Sequence, residues 1–510
     1  MRMFGRSLLP MQRYVLRLAA VVPLTWAMAI PGVPAARFWR GGVALVSAQT
    51  SAFAQSAAAD KPAPDVTFTK HIAPILQRSC QRCHRPDGGA PMPLITYEQV
   101  RPWARAIKTR TGLGPRAGVM PPWFVEKNIG IQGFKHDPSL SEAEIAAIAT
   151  WSDSGAPRGN PADLPKPLDF NTTDKWAIGE PDLILESPEV VVPASAPDKW
   201  GSLGLVPTGL AEDRYVSAVE VREINDIPPA GSTSTVGGRY VFHHMTYSSI
   251  VQGEGVDAAA AESEGTSWPI HEVGRNPDIF PPEAGRLLAK NSSLALSAYH
   301  LHSNGRETKA KLQFAFKFFP VGYKPQYRRS TLRLGNGIDL DVKPDRANQE
   351  LHSYATLQEH TKIIAFEPHL HAPGVRMCLE AIWGHNILTL NCVGYDHNWV
   401  KQYVYEDDTA PLLPKGTIVH LIGFLDTTKE NKNPADSRNW AGGGRRSIAN
   451  MFIDLGYSVS LSEEQFQAEM AKRRAKMKTR NDYDIGCPLC WAPPVQQATP
   501  TATRAPGQQQ

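Results

Sequence analysis

Tyr215-Val216-Ser217-Ala218-Val219-Glu220-Val221 is a short β-type run set between turns. The same texture returns along most of the chain. It is seen at Val190–Val192, Tyr240-Val241-Phe242, Leu312-Gln313-Phe314-Ala315-Phe316, Thr361–Phe366, Arg376–Ile382, Ile387–Val393 and Thr417–Leu425. Many short strands without helices between them predict β-sandwiches. Roughly 290 residues of this pattern is too much for one sandwich. A division near Tyr323–Arg329 gives two all-β, jelly-roll-like sandwiches, over residues 178–325 and 326–480.

Upstream the pattern changes. Residues 65–160 read as a small all-α domain, so the whole is expected to be multidomain. Ser141 can cap a helix, with Glu144 completing a capping box. Ile145, Ile148 and Trp151 give that helix one apolar face, and Gly155 ends it. The small, proline-bearing stretch 55–64 reads as a linker, and a second, rich in proline and asparagine, runs from Arg158 to about Lys175. Ahead of these, Arg2, Arg6, Arg13 and Arg17 precede or enter an apolar run from Leu18 to Val33. An A-x-A-like site follows at Ser51-Ala52-Phe53-Ala54. Residues 1–54 are therefore expected to be a signal peptide. Pro23 and Pro31 interrupt the apolar run, which leaves a retained N-terminal anchor as the alternative. At the other end, Ser462 caps a helix read to Arg480, whose basic end (Lys472-Arg473-Arg474-Ala475-Lys476) reads as a solvated face. The tail 492–510 reads as disordered.

Composition narrows the classes. At 510 residues the chain is too long for one core, and 42% hydrophobic with 20% charged residues is ordinary for a globular protein. A net charge of +4, with no basic patch interleaved with aromatics, gives no argument for nucleic acid. The six cysteines fall into three pairs, Cys80/Cys83, Cys378/Cys392 and Cys487/Cys490. Paired cysteines behind an export signal suit an oxidising compartment, here a bacterial periplasm or the cell exterior. A membrane enters only if the N-terminal segment is retained. Cys378 and Cys392 lie symmetrically about His385, so a hairpin can set them opposite one another as a disulfide. Cys487-Pro488-Leu489-Cys490 reads as a small disulfide, with a redox pair as the alternative.

Cys80-Gln81-Arg82-Cys83-His84 is the C-x-x-C-H signature of c-type haem attachment. Two thiols add to the vinyl groups of one haem, and the adjacent histidine becomes the proximal ligand. The other readings of this spacing are a disulfide or half of a zinc site. An electron carrier calls for a thioether on the far side of the iron. Met120, in Gly118-Val119-Met120-Pro121-Pro122-Trp123, is the first candidate, with Met92 and His136 as competitors. Residues 62–160 resemble small bacterial cytochrome c domains in the C-x-x-C-H loop, the MPPW loop and a last helix ending in Trp.

Three histidine groups lie in the β-rich part: Phe242-His243-His244-Met245, Tyr299-His300-Leu301-His302 and Pro368-His369-Leu370-His371. Side chains alternate along a strand, so His369 and His371 share a face and suit one metal. Adjacent histidines normally point to opposite faces. His243 and His244 can share a metal only where the backbone bends.

In order and spacing these groups resemble the copper type II, ascorbate-dependent monooxygenases, the family of peptidylglycine α-hydroxylating monooxygenase and dopamine β-monooxygenase. The resemblance covers about residues 178–460. It implies two copper ions, one per sandwich, with a solvent-filled cleft between. One copper would take His243, His244 and His300, with His302 the less favoured alternative to His300. The other would take His369, His371 and Met451. It further implies that dioxygen binds at the second copper, that a substrate C–H hydrogen is abstracted, and that the first copper supplies the second electron. The implied partners are dioxygen and a small-molecule or peptide-like substrate.

Two positions depart from that family. The arginine that helps hold a substrate carboxylate is replaced by Glu367, and an expected tyrosine is Leu455. A glycine-extended peptide is thus not the expected substrate. The haem segment is also additional. It is expected to deliver electrons to the copper module in place of, or beside, ascorbate, drawing on an external donor such as a quinol or another cytochrome. Two rivals remain: an electron-transfer or copper-binding protein on the same scaffold, and a binding module with structural histidines. His271, His352, His360, His397 and His420 have no spacing that singles them out and read as packed or surface residues.

Overall fold

The computed structural model describes residues 66–490 except 86–89, 91, 169–175, 228–238, 252–265, 273–276, 331, 333, 435, 445–448 and 478–483. The expected leader 1–54, linker 55–64 and tail 492–510 lie outside the described residues. No helix among the described residues is long and apolar enough to cross a membrane.

The N-terminal part is helical, and its sequence signals act as written. Ser141 accepts from Glu144 N while the Glu144 side chain reaches back to Ser141 N, starting the helix Glu142–Asp153. Gly155 follows the helix at φ +86, a left-handed position that favours glycine. Glu144 also pairs with Arg78, 2.7 Å away, on the helix Ala73–Ser79. Phe68, Leu76, Val100, Ile107, Ile148 and Trp151 close a small core.

The rest is mostly antiparallel sheet. One six-stranded sheet is ordered Leu183–Glu186, Thr308–Phe318, Arg214–Asn225, Arg286–Leu288, with two short strands alongside. Another is ordered Lys199–Gly201, Ser292–Leu301, Phe242–Val251, Thr266–Ser267, again with two short strands alongside. Leu312, Phe314 and Phe316 are fully buried at every second position and share a core with Tyr247, Leu294 and Leu296 of the other sheet. Tyr247 and Phe314 meet across the layer at 4.8 Å.

A second layered region follows. Gln349–Thr356, Ile418–Leu425, Gly374–Trp383 and Asn386–Gly394 form one sheet. Its core residues Leu379 and Leu421 share a cluster with Ile363 and Phe366 of His360–Phe366 and with Phe452. On the other side of that strand, Ile364 and Ala365 join the core of the first sandwich. Being covered on both faces explains why Ile363-Ile364-Ala365-Phe366 is continuously apolar. Cys378 and Cys392 stand directly opposite one another in register and form the expected cross-strand disulfide. Cys487 and Cys490 are also disulfide-bonded.

Two expectations change. Trp123, Val125, Ile131 and Phe134 do not pack with the helices; they enter the core of the second layered region. Val125 bridges to Val393 and Phe134 to Tyr405, and Asn391 donates to Ile131 O at 2.6 Å. The late helix runs from Glu463 to Lys476, short of Arg480, and its basic end is a solvated face at Lys472, Arg474 and Lys476 but not at Arg473. Arg473 is buried, 3.2 Å from Asp484, and donates to Asp407 O at 3.4 Å and Ala410 O at 2.5 Å. Lys472 and Lys476 pair with Glu469 and Asp408. Acidic and carbonyl acceptors from three chain segments converge there, which a local charge run does not reveal.

Candidate metal centre

The first histidine group begins a strand. Phe242–Val251 runs antiparallel to Ser292–Leu301. His244 pairs with His300, and Phe242 pairs with the next residue, Leu301. His243 is therefore an extra residue, a β-bulge. The bulge supplies the bend that the adjacent pair requires. Ligand nitrogens of His243, His244 and His300 all lie within 4.8 Å of one another. The ring centres are 5.0 to 5.9 Å apart.

A second layer of contacts orients the group. Lys199–Gly201 pairs with the same strand, placing Trp200 opposite His300. The indole stacks on the His300 ring at 4.4 Å, and the preceding Asp198 carboxylate meets His300 Nε2 at 3.1 Å. His300 Nδ1 and His243 Nδ1 are buried without a hydrogen-bond partner. One ring nitrogen held by a carboxylate, with the other turned inward and unpaired, is the arrangement of a metal-binding histidine. His302 stands beside this group, its ring 4.3 Å from His300 and 4.7 Å from His243, and shares Asp198.

The second group lies on Pro368–Leu370, which pairs with Phe452–Asp454. The His369 and His371 ring centres are 5.3 Å apart. His371 Nδ1 lies 2.9 Å from Ala449 O, and His369 Nδ1 is buried without a partner. The pairing ends with Leu370 opposite Phe452, and His371 and Met451 each stand one residue beyond it. Gly337 flanks Met451: a Cβ there would lie 3.9 Å from the Met451 methyl carbon. The two departures from the family pattern are neighbours, since Leu455 N donates to Glu367 O at 2.9 Å. Glu367 accepts from Gln402 at 2.7 Å and its amide donates to Asp454. Burial pushes the Asp454 carboxyl up to about 7.

One histidine, read from the sequence as packed or on the surface, is packed beside these groups. The His397 ring is 5.8 Å from His243 and 6.3 Å from His371, and its Nδ1 is buried without a partner. It lies in a loop after the strand Asn386–Gly394, and no sequence spacing relates it to the other groups. His352, His360 and His420 lie elsewhere and are paired: His352 with His420 at 3.0 Å, His420 with Glu380 and His360 with Glu463. His271 sits opposite Met245 in the strand beside the first group.

Electrostatics keep the clustered rings neutral. Burial, and then the neighbouring imidazoles, push His243 down to about 2 and His244 to about 3. Burial does the same to His300 and His397, each to about 4, and holds His369 well below its ordinary value. Neutral imidazole is the form that binds metal.

In the helical part, Cys80 and Cys83 are unlinked, although the other four cysteines are disulfide-bonded. Burial, then Cys83, pushes the Cys80 thiol up to about 12. His84 Nδ1 is 3.0 Å from Met92 O, which leaves Nε2 for another role. Met92 thus serves His84 through its backbone. His136 is exposed, and Met120 is half-buried, its amide donating to Arg110 O. The loop before Met120 touches the histidine region, because Gly118 N donates to Asp396 at 2.9 Å, next to His397. Comparison of the sequence with protein-family models and with curated proteins finds no match.

Proposed function

We propose that this chain is an exported oxidoreductase that holds one covalent c-type haem and two copper ions and hydroxylates a substrate C–H bond with dioxygen. The observation that carries the reading is the bulge at His243. It turns an adjacent pair, which a regular strand would split across two faces, into a three-imidazole group with His300. Nothing in a purely structural role calls for several buried, unpaired ring nitrogens in one place.

His243, His244 and His300 would hold one copper, with Asp198 and Trp200 fixing the His300 ring. His369 and His371 would hold the other, with Met451 as the soft ligand that favours the cuprous state. Cys80 and Cys83 would anchor the haem, and His84 and Met120 would bind its iron. Bound there, the metals would supply one-electron transfer and the reduction of dioxygen. Glu367, held by Gln402 and Asp454, supports the second strand pair and offers no cation for a substrate carboxylate.

The test is metal analysis of the full chain matured with haem, followed by oxygen-uptake measurements across candidate substrates. About two coppers and one iron per chain, with substrate-dependent uptake, is the expected result. Iron alone would remove the copper reading. Both metals without uptake on any substrate would leave an electron carrier.

A further inference from the structure

We propose that Arg286, Arg329 and the Trp268 indole form a binding site for a small oxyanion. The site uses none of the histidines and is independent of the copper reading.

The two arginines come from different regions and meet the same aromatic row. Arg286 lies on Arg286–Leu288, paired with Arg214–Asn225 of the first sandwich. Arg329 lies on Arg328–Ser330, paired with Tyr457–Leu461. Trp268 is tied to Phe242–Val251, its N donating to Tyr247 O at 3.0 Å. The Arg286 guanidinium stands 4.7 Å over the Trp268 ring. That of Arg329 stands 4.8 Å over Phe280 and 4.3 Å over Tyr457. The Trp268 and Phe280 rings are 6.3 Å apart, and Phe280 and Tyr457 are 6.1 Å apart.

Stacking covers the face of a guanidinium and leaves its N–H edge in need of acceptors. Arg286 Nε, Arg329 Nη1 and Trp268 Nε1 are buried with no hydrogen-bond partner among the described residues. All three are donors and none can accept. The charges are unbalanced as well. Burial, then the Arg329 charge, pushes the Arg286 guanidinium down to about 9, and burial lowers Arg329 too. Asp278 offsets both, one carboxylate against two cations. At neutral pH both arginines stay charged, so the unmet need is for an anion. The N–H forks of two guanidinium groups match the oxygens of a carboxylate or a phosphate. Both arginine side chains keep partial exposure, which gives such an ion a way in.

The experiment titrates the full chain with inorganic phosphate and, separately, with acetate, in chloride buffer at constant ionic strength. Binding is read by calorimetry and by thermal melting. One equivalent binds, and the melting temperature rises and saturates. The tighter of the two probes tells a tetrahedral from a planar oxyanion. Arg286→Gln and Arg329→Gln each weaken binding about tenfold or more. Trp268→Phe keeps a ring, removes the N–H and weakens binding about threefold. Lys324→Gln, at an exposed position, leaves it unchanged. Circular dichroism checks folding. Where a glutamine variant does not fold, the lysine variant, which keeps the charge and loses the fork, is read in its place and weakens binding about threefold or more. No saturable binding of either probe, or binding unaltered in the arginine variants, overturns the site.

Discussion

The two histidine sets gather their rings by opposite use of a strand. His369 and His371 exploit the regular alternation of side chains. His243 and His244 break it, with one extra residue against the partner strand. The first set is then braced by a carboxylate and an indole, Asp198 and Trp200. For the second, the brace seen at His371 is a backbone carbonyl, that of Ala449. A regular pair asks little of its surroundings. A bulged pair depends on a local irregularity and on neighbours that hold it.

That difference predicts unequal sensitivity. Deleting His243 restores a regular register and leaves one ring of the pair on the binding face. Copper affinity at the first set should fall by more than about 100-fold, with the second set unchanged, in competition titrations against a chelator. Equal loss at both sets would mean that the two are not braced independently. Asp198→Asn keeps the shape and removes the charge behind His300; it should cost about 10- to 100-fold in affinity at the first set alone. Met451→Leu should act on the second set, lowering Cu(I) affinity about tenfold while leaving Cu(II) nearly unaffected. A change in Cu(II) at the first set would place Met451 wrongly.

The smallest effect on this comparison is expected from Glu469→Gln, remote from both sets. Burial raises the Glu469 carboxyl, but Lys472, Lys362 and Tyr327 outweigh it and bring it down to about 2 from an ordinary 4.5. A lowered acid contributes stability above its ordinary value and loses it as pH falls toward its folded value. Urea unfolding between pH 5 and pH 2 should therefore show a weaker acid dependence in the variant, with copper affinity at neutral pH unchanged.

Much of this was open to reading before the structure. Strand texture, the Ser141 cap and the Cys378–Cys392 pairing follow from local rules. The His-x-His pair was legible for the same reason, since alternation is local. His243 was legible only as a condition, because a bulge is set by the partner strand. Asp198 was invisible: it precedes a three-residue strand, Lys199–Gly201, that carries no pattern of its own. His397 sits in a loop, where proximity owes nothing to period. Trp123, Val125 and Phe134 fall to the helical domain in the sequence because the C-x-x-C-H loop precedes them and the Ser141 helix follows, yet their partners Val393, Tyr403 and Tyr405 are far along the chain.

That last placement limits how the chain can be cut. A fragment ending near residue 160 would carry away an aromatic plug that fills another region's interior. What stayed behind would have a hole beside Tyr403 and Tyr405, and the excised piece would expose Trp123 and Phe134 to water. The helical segment is stitched into its neighbour, and the two are not interchangeable parts.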